Sequence, residues 1–286
     1  MNPKQRKKLK RQFPHVRQPH LAPRSNSDYI TKMQAFREQF TDYSAAVFLI
    51  NQVLEADRLL AAGLLPQPLP PLLLPDNYQD TIYQTLLAKY PLGDPIGDQK
   101  WATLSAALPK LDHQLRDFRD YLEATYGMWA YISAPFTNDL SNYLKGVPTL
   151  ELMAGNGYIS KGLRDHDANQ TLYVTDSTAW TNENETGRHP VIEVEPLDAL
   201  AAIAKYGTNV DAIIMSWSPD GQEIDWQVLQ AVRQLPNAPQ LIVIGEKGGA
   251  TGSTAFWQHA KLTENADLNR HFHDFDLIKD RVYIVK

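Results

Sequence analysis

The residue types best suited to ligand chemistry lie between Thr149 and Gly162, in the stretch TLELMAGNGYISKG. A short apolar run that ends in a glycine pair and is followed by helical spacing predicts a strand, a ligand-binding turn and a helix. We expect the strand at 149–152, the turn at Ala154, Gly155, Asn156 and Gly157, and the helix from Tyr158. Glycine lets the backbone approach a ligand closely, and the first amides of a helix can bind it. The turn therefore predicts a nucleotide-like ligand.

Two classes of ligand fit such a turn. Dinucleotide enzymes use G-x-G-x-x-G, in which the third glycine packs the helix on the strand, and Ser160 stands at that position here. Glu151, at the end of the predicted strand, favours the other class. A carboxylate facing the turn could order the amino group of an amino-acid moiety, directly or through water, and would repel a pyrophosphate.

The arrangement ELMAGNG, from Glu151 to Gly157, resembles the first motif of class I S-adenosylmethionine-dependent methyltransferases, usually acid-x-G-x-G-x-G. Met153 departs from that motif at the first glycine position, and we interpret it as a narrower pocket wall. The resemblance implies S-adenosylmethionine as the cofactor.

Composition limits the other chemistries. The 286 residues suffice for one large domain or two small ones, and the absence of cysteine excludes disulfides, thiol nucleophiles and cysteine-ligated zinc. The longest wholly apolar run, Ala45 to Ile50, is too short to span a bilayer, and no apolar signal core follows the first lysines. We therefore expect a soluble, cytoplasmic protein with no membrane span.

Charge is distributed unevenly along the chain. Residues 1–24 hold eight Lys or Arg and no acid, which leaves 20 basic against 33 acidic side chains in the rest. We expect residues 1–25 to be a basic flexible tail. Such an arm can stay solvated, dock on its own acidic body, or contact nucleic acid, a ribosome or an anionic membrane.

Helical spacing dominates the first half, so residues 26–145 are predicted as a helical N-terminal domain. One helix, capped by Thr41 or Asp42, should end near Gly63, and the Pro-rich stretch 64–75 should be an extended strap on the surface. Three further helices are predicted, at 77–89, 99–108 and 112–129.

From Pro148 onward, strand patterns alternate with helical ones. This predicts an α/β fold in residues 146–286: a Rossmann-like, doubly wound, mostly parallel sheet with helices on both faces. The resemblance of the glycine motif implies that this sheet is of the class I methyltransferase type and binds S-adenosylmethionine. Crossover helices are expected at 197–206 and 226–235. Strands are expected at 149–153, 171–175, 191–194, 212–216 and 241–245, with an edge region at 271–274 and 282–285.

Ligands of such sheets lie beyond the carboxyl ends of the strands, so the residues after each strand are site candidates. Asp176, followed by Ser177, lies 25 residues after Glu151 and can accept both ribose hydroxyls; otherwise it is an ordinary loop aspartate. Asp198 and Ala199 resemble the acid and small residue that contact adenine, with Glu195 as a rival and a plain helix N-cap as the alternative.

Two later segments are candidates for the acceptor side. Ser216, Trp217 and Ser218, in SWSPDG, occupy the place where class I methyltransferases carry a substrate-facing motif. We expect Ser216 and Trp217 to bind the cofactor and Ser218 to face the substrate; Trp217 could also stack on a substrate, and its alternative is packing at a strand end. Glu246 begins a glycine-rich loop, GEKGGATGS, that could hold an anion or act as a lid. Asp220 and Glu246 are the candidates for a general base, which an amine or hydroxyl acceptor would need.

A wider resemblance covers residues 126–286. YGMWAYISAPF, the glycine motif, SWSP and GEKGGATG together resemble an uncharacterised methyltransferase-domain family with a W-A-x-x-x-P stretch, a G-A-G-x-G-Y turn and a W-P-P segment. It implies that Tyr126, Trp129 and Tyr131 fold over the mouth of the cofactor or substrate site. Alternatively, they are core aromatics at a domain junction.

Methyl transfer to an unidentified acceptor is therefore the first functional hypothesis. A nicotinamide-dependent oxidoreductase on the same sheet is the second, and a non-catalytic binding module on a degenerate methyltransferase fold, favoured by Met153, is the third. His271 and His273 would share a face of a strand, but the sequence offers no obvious third ligand, so no metal site is predicted.

Overall fold

The computed structural model describes residues 26–178 and 190–286, and the basic segment 1–25 lies outside them. The first part is helical. Asp94 caps one of its helices, accepting hydrogen bonds from the amides of Ile96 and Gly97 at 2.8 and 3.2 Å. The helices are α1 (Asn26–Gln39), α2 (Ser44–Ala61), α3 (Tyr78–Lys89), α4 (Pro95–Arg116), α5 (Phe118–Tyr126) and α6 (Ala134–Leu144).

The helices predicted at 99–108 and 112–129 lie at Pro95–Arg116 and Phe118–Tyr126. Helix α4 continues through Pro109, and the break falls at Asp117 instead of before residue 112. Buried Leu104, Leu111 and Leu115 anchor the helix on both sides of the proline, which offsets the one hydrogen bond that proline removes. Helix α2 has Tyr43 at its N-cap position and no side-chain cap, so neither Thr41 nor Asp42 caps it. Asp42 forms an ion pair with Lys89 at 2.9 Å.

The Pro-rich strap at 64–75 is extended, as predicted, but it does more than lie on the surface. Leu65, Leu69 and Leu72 are buried in the core of the helical region. The amide of Leu72 also donates to the carbonyl of Phe275 at 2.7 Å, so the strap joins the helices to the C-terminal segment.

Strands and helices alternate from residue 149 onward. The strands are β1 (Thr149–Leu152), β2 (Leu172–Asp176), β3 (Glu195–Pro196), β4 (Ala212–Ser216), β5 (Gln240–Gly245), β6 (Leu262–Glu264) and β7 (Arg281–Val285). The helices are α7 (Tyr158–His166), α8 (Ala199–Tyr206), α9 (Ile224–Arg233) and α10 (Thr254–His259). Within the described residues, the sheet order is β3-β2-β1-β4-β5-β7-β6, and only β7 runs antiparallel to its neighbours.

The sheet is covered on both faces, as a doubly wound fold requires. Ile213 and Met215 of β4 pack into a core with α8, α9 and α10. Ala212 and Ile214 face the other way, into a larger core that includes α6, α7 and the N-terminal helices. The helical region and the sheet thus share a hydrophobic core, and the division at residues 145/146 stays a prediction.

Two strand predictions are wrong. The third strand lies at 195–196 rather than 191–194, because Val191 uses its amide to bond Asn156 and Thr175 pairs with Glu195. The stretch 271–274 is not a strand. The edge strand is β6, while the side chain of Asn269 takes up both the amide and the carbonyl of Val282, each at 2.9 Å.

No helix in the described part of the chain is both long enough and apolar enough to cross a membrane.

Candidate functional site

The turn after β1 has the conformation that its glycines suggest. Met153, Gly155 and Gly157 all have positive φ angles, of 56°, 55° and 80°. This region favours glycine, so Met153 is strained at the position where the related motif carries a glycine. A Cβ added to Gly155 would find no atom within 4 Å, so open space lies over the turn at this point.

The other side of the turn is covered. A Cβ on Gly157 would overlap Cγ2 of Ile192 and would lie 3.3 Å from Cγ2 of Val194. The amide of Val191 also donates to the carbonyl of Asn156 at 2.9 Å. The segment predicted as the third strand is therefore packed on the glycine turn. The sequence of this segment, VIEV, has the apolar pattern of a strand. The pattern does not show whether the apolar side chains pack on the turn or belong to a strand of the sheet.

Asp176 and the turn come together as the sheet topology predicts. One carboxylate oxygen of Asp176 accepts the amide of Gly155 at 2.8 Å, and the other accepts the amide of Thr178 at 2.7 Å. The side chain is 4% exposed, whereas Ser177 beside it is exposed. Asp176 thus joins the end of β2 to the glycine turn.

Glu151 lies beneath the turn, with its carboxylate buried at 2% exposure. One oxygen accepts both the amide of Ser160, at 3.1 Å, and its hydroxyl. Ser160 is in the first turn of α7, where backbone amides lack helical partners, so Glu151 caps this helix from the neighbouring strand. Burial raises the pKa of Glu151 to about 7, although the Ser160 bonds oppose the shift.

Ser160 is thus a site residue that sequence reasoning missed. In the sequence Ser160 is only the residue that replaces the third glycine of a dinucleotide motif. In the structure its amide and its hydroxyl are the two donors to Glu151. A serine nine positions after a strand-end acid is too weak a sequence signal to have shown the pair. Glu151 as a direct cofactor ligand stays a prediction.

Two hydrogen bonds also join the glycine turn to the helical region. The side-chain amide of Asn156 donates to the carbonyl of Gly127 at 2.9 Å, and the hydroxyl of Tyr158 donates to the carbonyl of Tyr126 at 2.7 Å. Gly127 ends α5 in a left-handed conformation. The C-terminus of α5 is therefore held against the ligand turn.

The aromatic residues predicted at the mouth of the site have different surroundings. The hydroxyl of Tyr126 donates to a carboxylate oxygen of Asp57 at 2.5 Å, and that of Tyr131 donates to the carbonyl of Gln67 in the strap at 2.6 Å. Both tyrosine hydroxyls are thus engaged within the helical region. Trp129 differs, since 41% of it is exposed. Their contact with a ligand stays a prediction.

The adenine-side candidates lie at the start of α8. Asp198 is the N-cap and accepts the amide of Ala201 at 2.9 Å, while Ala199 is buried in the core. The rival, Glu195, accepts from Lys205 at 2.6 Å and from the hydroxyl of Tyr206 at 2.5 Å. Asp198 has one oxygen in the cap, and its contact with adenine stays a prediction.

Buried polar groups follow β4. Ser216 and Ser218 are buried, and Trp217 between them has a φ of 48°. The indole N–H of Trp217 donates to Oδ2 of Asp280 at 3.2 Å. Among the described residues, neither Oγ of Ser218 nor Oδ1 of Asp280 has a hydrogen-bond partner. Asp280 precedes β7 and was not singled out from the sequence.

The two candidates for a general base, Glu246 and Asp220, have different surroundings. Glu246 accepts the amides of Ala250 and Lys279, at 2.7 and 2.9 Å, with its two oxygens. This closes the glycine-rich loop and ties it to the segment before β7. Asp220 is exposed in the turn after β4. Both roles stay predictions, but Glu246 has a structural function in the loop.

The histidine pair does not share a strand face. Nδ1 of His271 lies 2.7 Å from Oδ2 of Asp139 on α6, and His273 is exposed. Within residues 26–178 and 190–286, no group of three or more His, Asp or Glu side chains is placed to hold a metal ion.

The fold is that of the class I S-adenosylmethionine-dependent methyltransferases: a mostly parallel seven-stranded sheet, a glycine turn after β1 and an antiparallel β7. No family model and no curated protein matches the chain.

Several solved structures are similar to this chain. TrmN from Thermus thermophilus is 12% identical over 75% of this chain and 80% of its own, with a TM-score of 0.36. An O-methyltransferase family protein from Burkholderia thailandensis is 12% identical over 92% and 98%, with a TM-score of 0.35. Human N-acetylserotonin methyltransferase is 11% identical over 73% of this chain and 65% of its own, with a TM-score of 0.35.

Proposed function

We propose that this protein is an S-adenosylmethionine-dependent methyltransferase. The observation that carries the proposal is the hydrogen bond between Gly155 and Asp176, with open space where a side chain of residue 155 would lie. A backbone without a side chain and a strand-end carboxylate are the two groups that an adenosyl ligand of such a sheet needs. The residues therefore fit the cofactor.

The proposed contacts follow the sheet edge. Gly155 and Asn156 would approach the amino-acid moiety, Asp176 would accept the ribose hydroxyls, and Asp198 with Ala199 would border the adenine. Ser216 and Trp217 would line the acceptor side. The cofactor supplies an activated methyl group, so the main task of the protein is to hold acceptor and methyl together, an effect worth about 7 to 11 kcal/mol.

Calorimetric titration with S-adenosylmethionine and its demethylated product tests the proposal. We expect binding by the wild type and a dissociation constant at least about 10-fold higher in Asp176→Asn, since hydrogen bonds to a charged group contribute about 1.5 to 3 kcal/mol. Gly155→Trp should abolish binding by occupying the open space above the turn. Wild-type protein that takes up neither compound would refute the proposal.

Gly63→Trp is the matched control for the glycine variant. Gly63 also has a positive φ, 73°, and open space where its Cβ would lie, but it is at the end of α2 in the helical region. It carries the same backbone strain without touching the site, so its cofactor affinity should equal that of the wild type.

Two observations favour a second candidate, a non-catalytic binding module. Ile192 covers Gly157, and Met153 is strained at the first glycine position. In this alternative the turn has become part of the core. No heat with either cofactor form, together with no thermal shift by nicotinamide dinucleotides, would favour it.

A further inference from the structure

The glycine turn after β1 has a backbone conformation that its own sequence does not favour throughout. Met153, Gly155 and Gly157 all have positive φ angles, and Met153, at 56°, carries a Cβ that this region disfavours. Backbone strain of this kind persists only where the surrounding structure holds the chain in place. The turn therefore needs support from residues outside it.

Part of this support comes from the C-terminus of α5. Carbonyls at the end of a helix have no partner within the helix, and two of them accept donors from the turn. The carbonyl of Tyr126 accepts the hydroxyl of Tyr158 at 2.7 Å, and the carbonyl of Gly127 accepts the side-chain amide of Asn156 at 2.9 Å. Asn156 and Tyr158 flank Gly157 in the sequence, so both bonds act on the second half of the turn.

The end of α5 is itself fixed to α2. One carboxylate oxygen of Asp57 accepts the hydroxyls of Tyr126 and Tyr121, each at 2.5 Å. Tyr126 is thus bonded twice, to Asp57 through its side chain and to Tyr158 through its backbone. Burial raises the pKa of Tyr158 to about 12, so its hydroxyl keeps the proton that it donates at neutral pH. A continuous chain of hydrogen bonds therefore runs from α2 through α5 to the glycine turn.

We propose that Tyr158 and Asn156 are positioning residues for the cofactor, whose side chains hold the strained turn in its ligand-binding form through the end of α5. This inference rests on the proposed function. Neither side chain needs to touch the ligand, because both bonds end on backbone carbonyls of α5. Without one bond, fewer molecules would have the turn in the binding form, and the apparent dissociation constant would rise in inverse proportion to that fraction.

Tyr158→Phe tests the first of these bonds, since it removes one hydroxyl and leaves the buried ring. Calorimetric titration of the full chain with S-adenosylmethionine measures the effect. We expect the dissociation constant to rise about 3- to 10-fold, the range that corresponds to the loss of one hydrogen bond. A melting curve verifies that the variant folds.

Tyr78→Phe is the matched control. Tyr78 is also a buried tyrosine whose hydroxyl bonds the backbone, but its partner is the amide of Ala46, at 3.0 Å, near the opposite end of α2 from Asp57. Both variants lose one such bond, so both should lower the melting temperature by about 2 to 4 °C. Tyr78→Phe should nevertheless bind the cofactor as tightly as the wild type.

A double-mutant cycle separates positioning from a merely structural role. Met153→Gly removes the Cβ that strains the turn, so the turn should keep its binding form even without the Tyr158 bond. The effect of Tyr158→Phe on the dissociation constant should therefore fall below about 2-fold in the Met153→Gly background. Asn156→Ala, which removes the other bond, should respond in the same way, and it replaces Tyr158→Phe in the cycle if that variant does not fold.

Two results would overturn the inference. In the first, Tyr158→Phe and Asn156→Ala bind the cofactor as tightly as Tyr78→Phe. In the second, their loss of affinity is the same with and without Met153→Gly, as direct contact with the ligand would give. Either result, together with cofactor binding by the wild type, refutes only the positioning role. Wild-type protein that binds no cofactor refutes the proposed function and this inference with it.

Discussion

Replacing Glu151 by glutamine should make the protein's stability less dependent on pH. The pKa of Glu151 is raised from 4.5 to about 7 by burial, so between these values the unfolded chain has lost a proton that the folded protein still holds. The contribution of Glu151 to the free energy of unfolding is therefore fully present below pH 4.5, the unfolded pKa. It falls as the pH rises from 4.5 and is lost once the pH has passed the folded pKa of about 7. Each pKa unit corresponds to about 1.4 kcal/mol, which gives about 2.5 kcal/mol of lost stability between pH 5 and pH 8.

Urea unfolding of wild type and Glu151→Gln at pH 5, 6, 7 and 8 measures this contribution. Glutamine can still accept both Ser160 donors, but it does not ionise. The free energy of unfolding of the variant, relative to wild type, should rise by about 2.5 kcal/mol over the series. A difference that stays constant from pH 5 to pH 8 would refute the reasoning, since the Ser160 donors would then keep the carboxyl ionised throughout.

An exposed acid provides the comparison. Glu55 is paired with Arg58, whose hydrogen bond lowers the pKa of the glutamate, so it is ionised throughout this range. Glu55→Gln should therefore show the same free-energy difference from wild type at all four pH values. Ser160→Ala should move the Glu151 transition to higher pH, because the lost hydroxyl is one of the two donors that oppose the shift.

Two further predictions concern the helical region that holds the site. Gly162→Ala should lower the free energy of unfolding by about 1 to 3 kcal/mol in urea, because its Cβ would overlap the side chain of Thr137 and separate α6 from α7; melting like that of wild type would contradict this packing. Asp57→Ala should cost about 2 to 4 kcal/mol, since one oxygen of Asp57 accepts the hydroxyls of both Tyr121 and Tyr126 at 2.5 Å. Asp57→Asn, which keeps an acceptor, should cost less in the same assay.

The main strands could be predicted because each is a short apolar run before a turn. Strands β1, β2, β4 and β5 lie within one residue of the predicted ends. The failures have local causes. Strand β6 is three residues, LTE, with too little apolar pattern to recognise. The stretch 191–194 has the pattern of a strand but packs on the glycine turn, and sequence periodicity does not identify the partner of an apolar face.

The contacts of the site also include some that could be predicted from the sequence and some that could not. The meeting of Asp176 with Gly155 was predictable, since parallel strands bring their carboxyl ends to one edge. The contacts of Asn156 with Gly127 and of Trp217 with Asp280 join segments 29 and 63 residues apart. Only the folded chain brings such pairs together, so neither could be inferred from spacing.

Glu151 and Asp280 are both buried acids with raised pKa values, and their hydrogen bonds give them different structural roles. Glu151 receives two donors from Ser160 and completes the first turn of α7, so its main role is to fix the helix that follows the glycine turn. Asp280 receives one donor, from Trp217, and keeps an unpartnered oxygen within the described structure. Glu151 therefore fixes the start of α7, whereas Asp280 fixes the indole of Trp217 after β4, although the sequence motif draws attention to Glu151 alone.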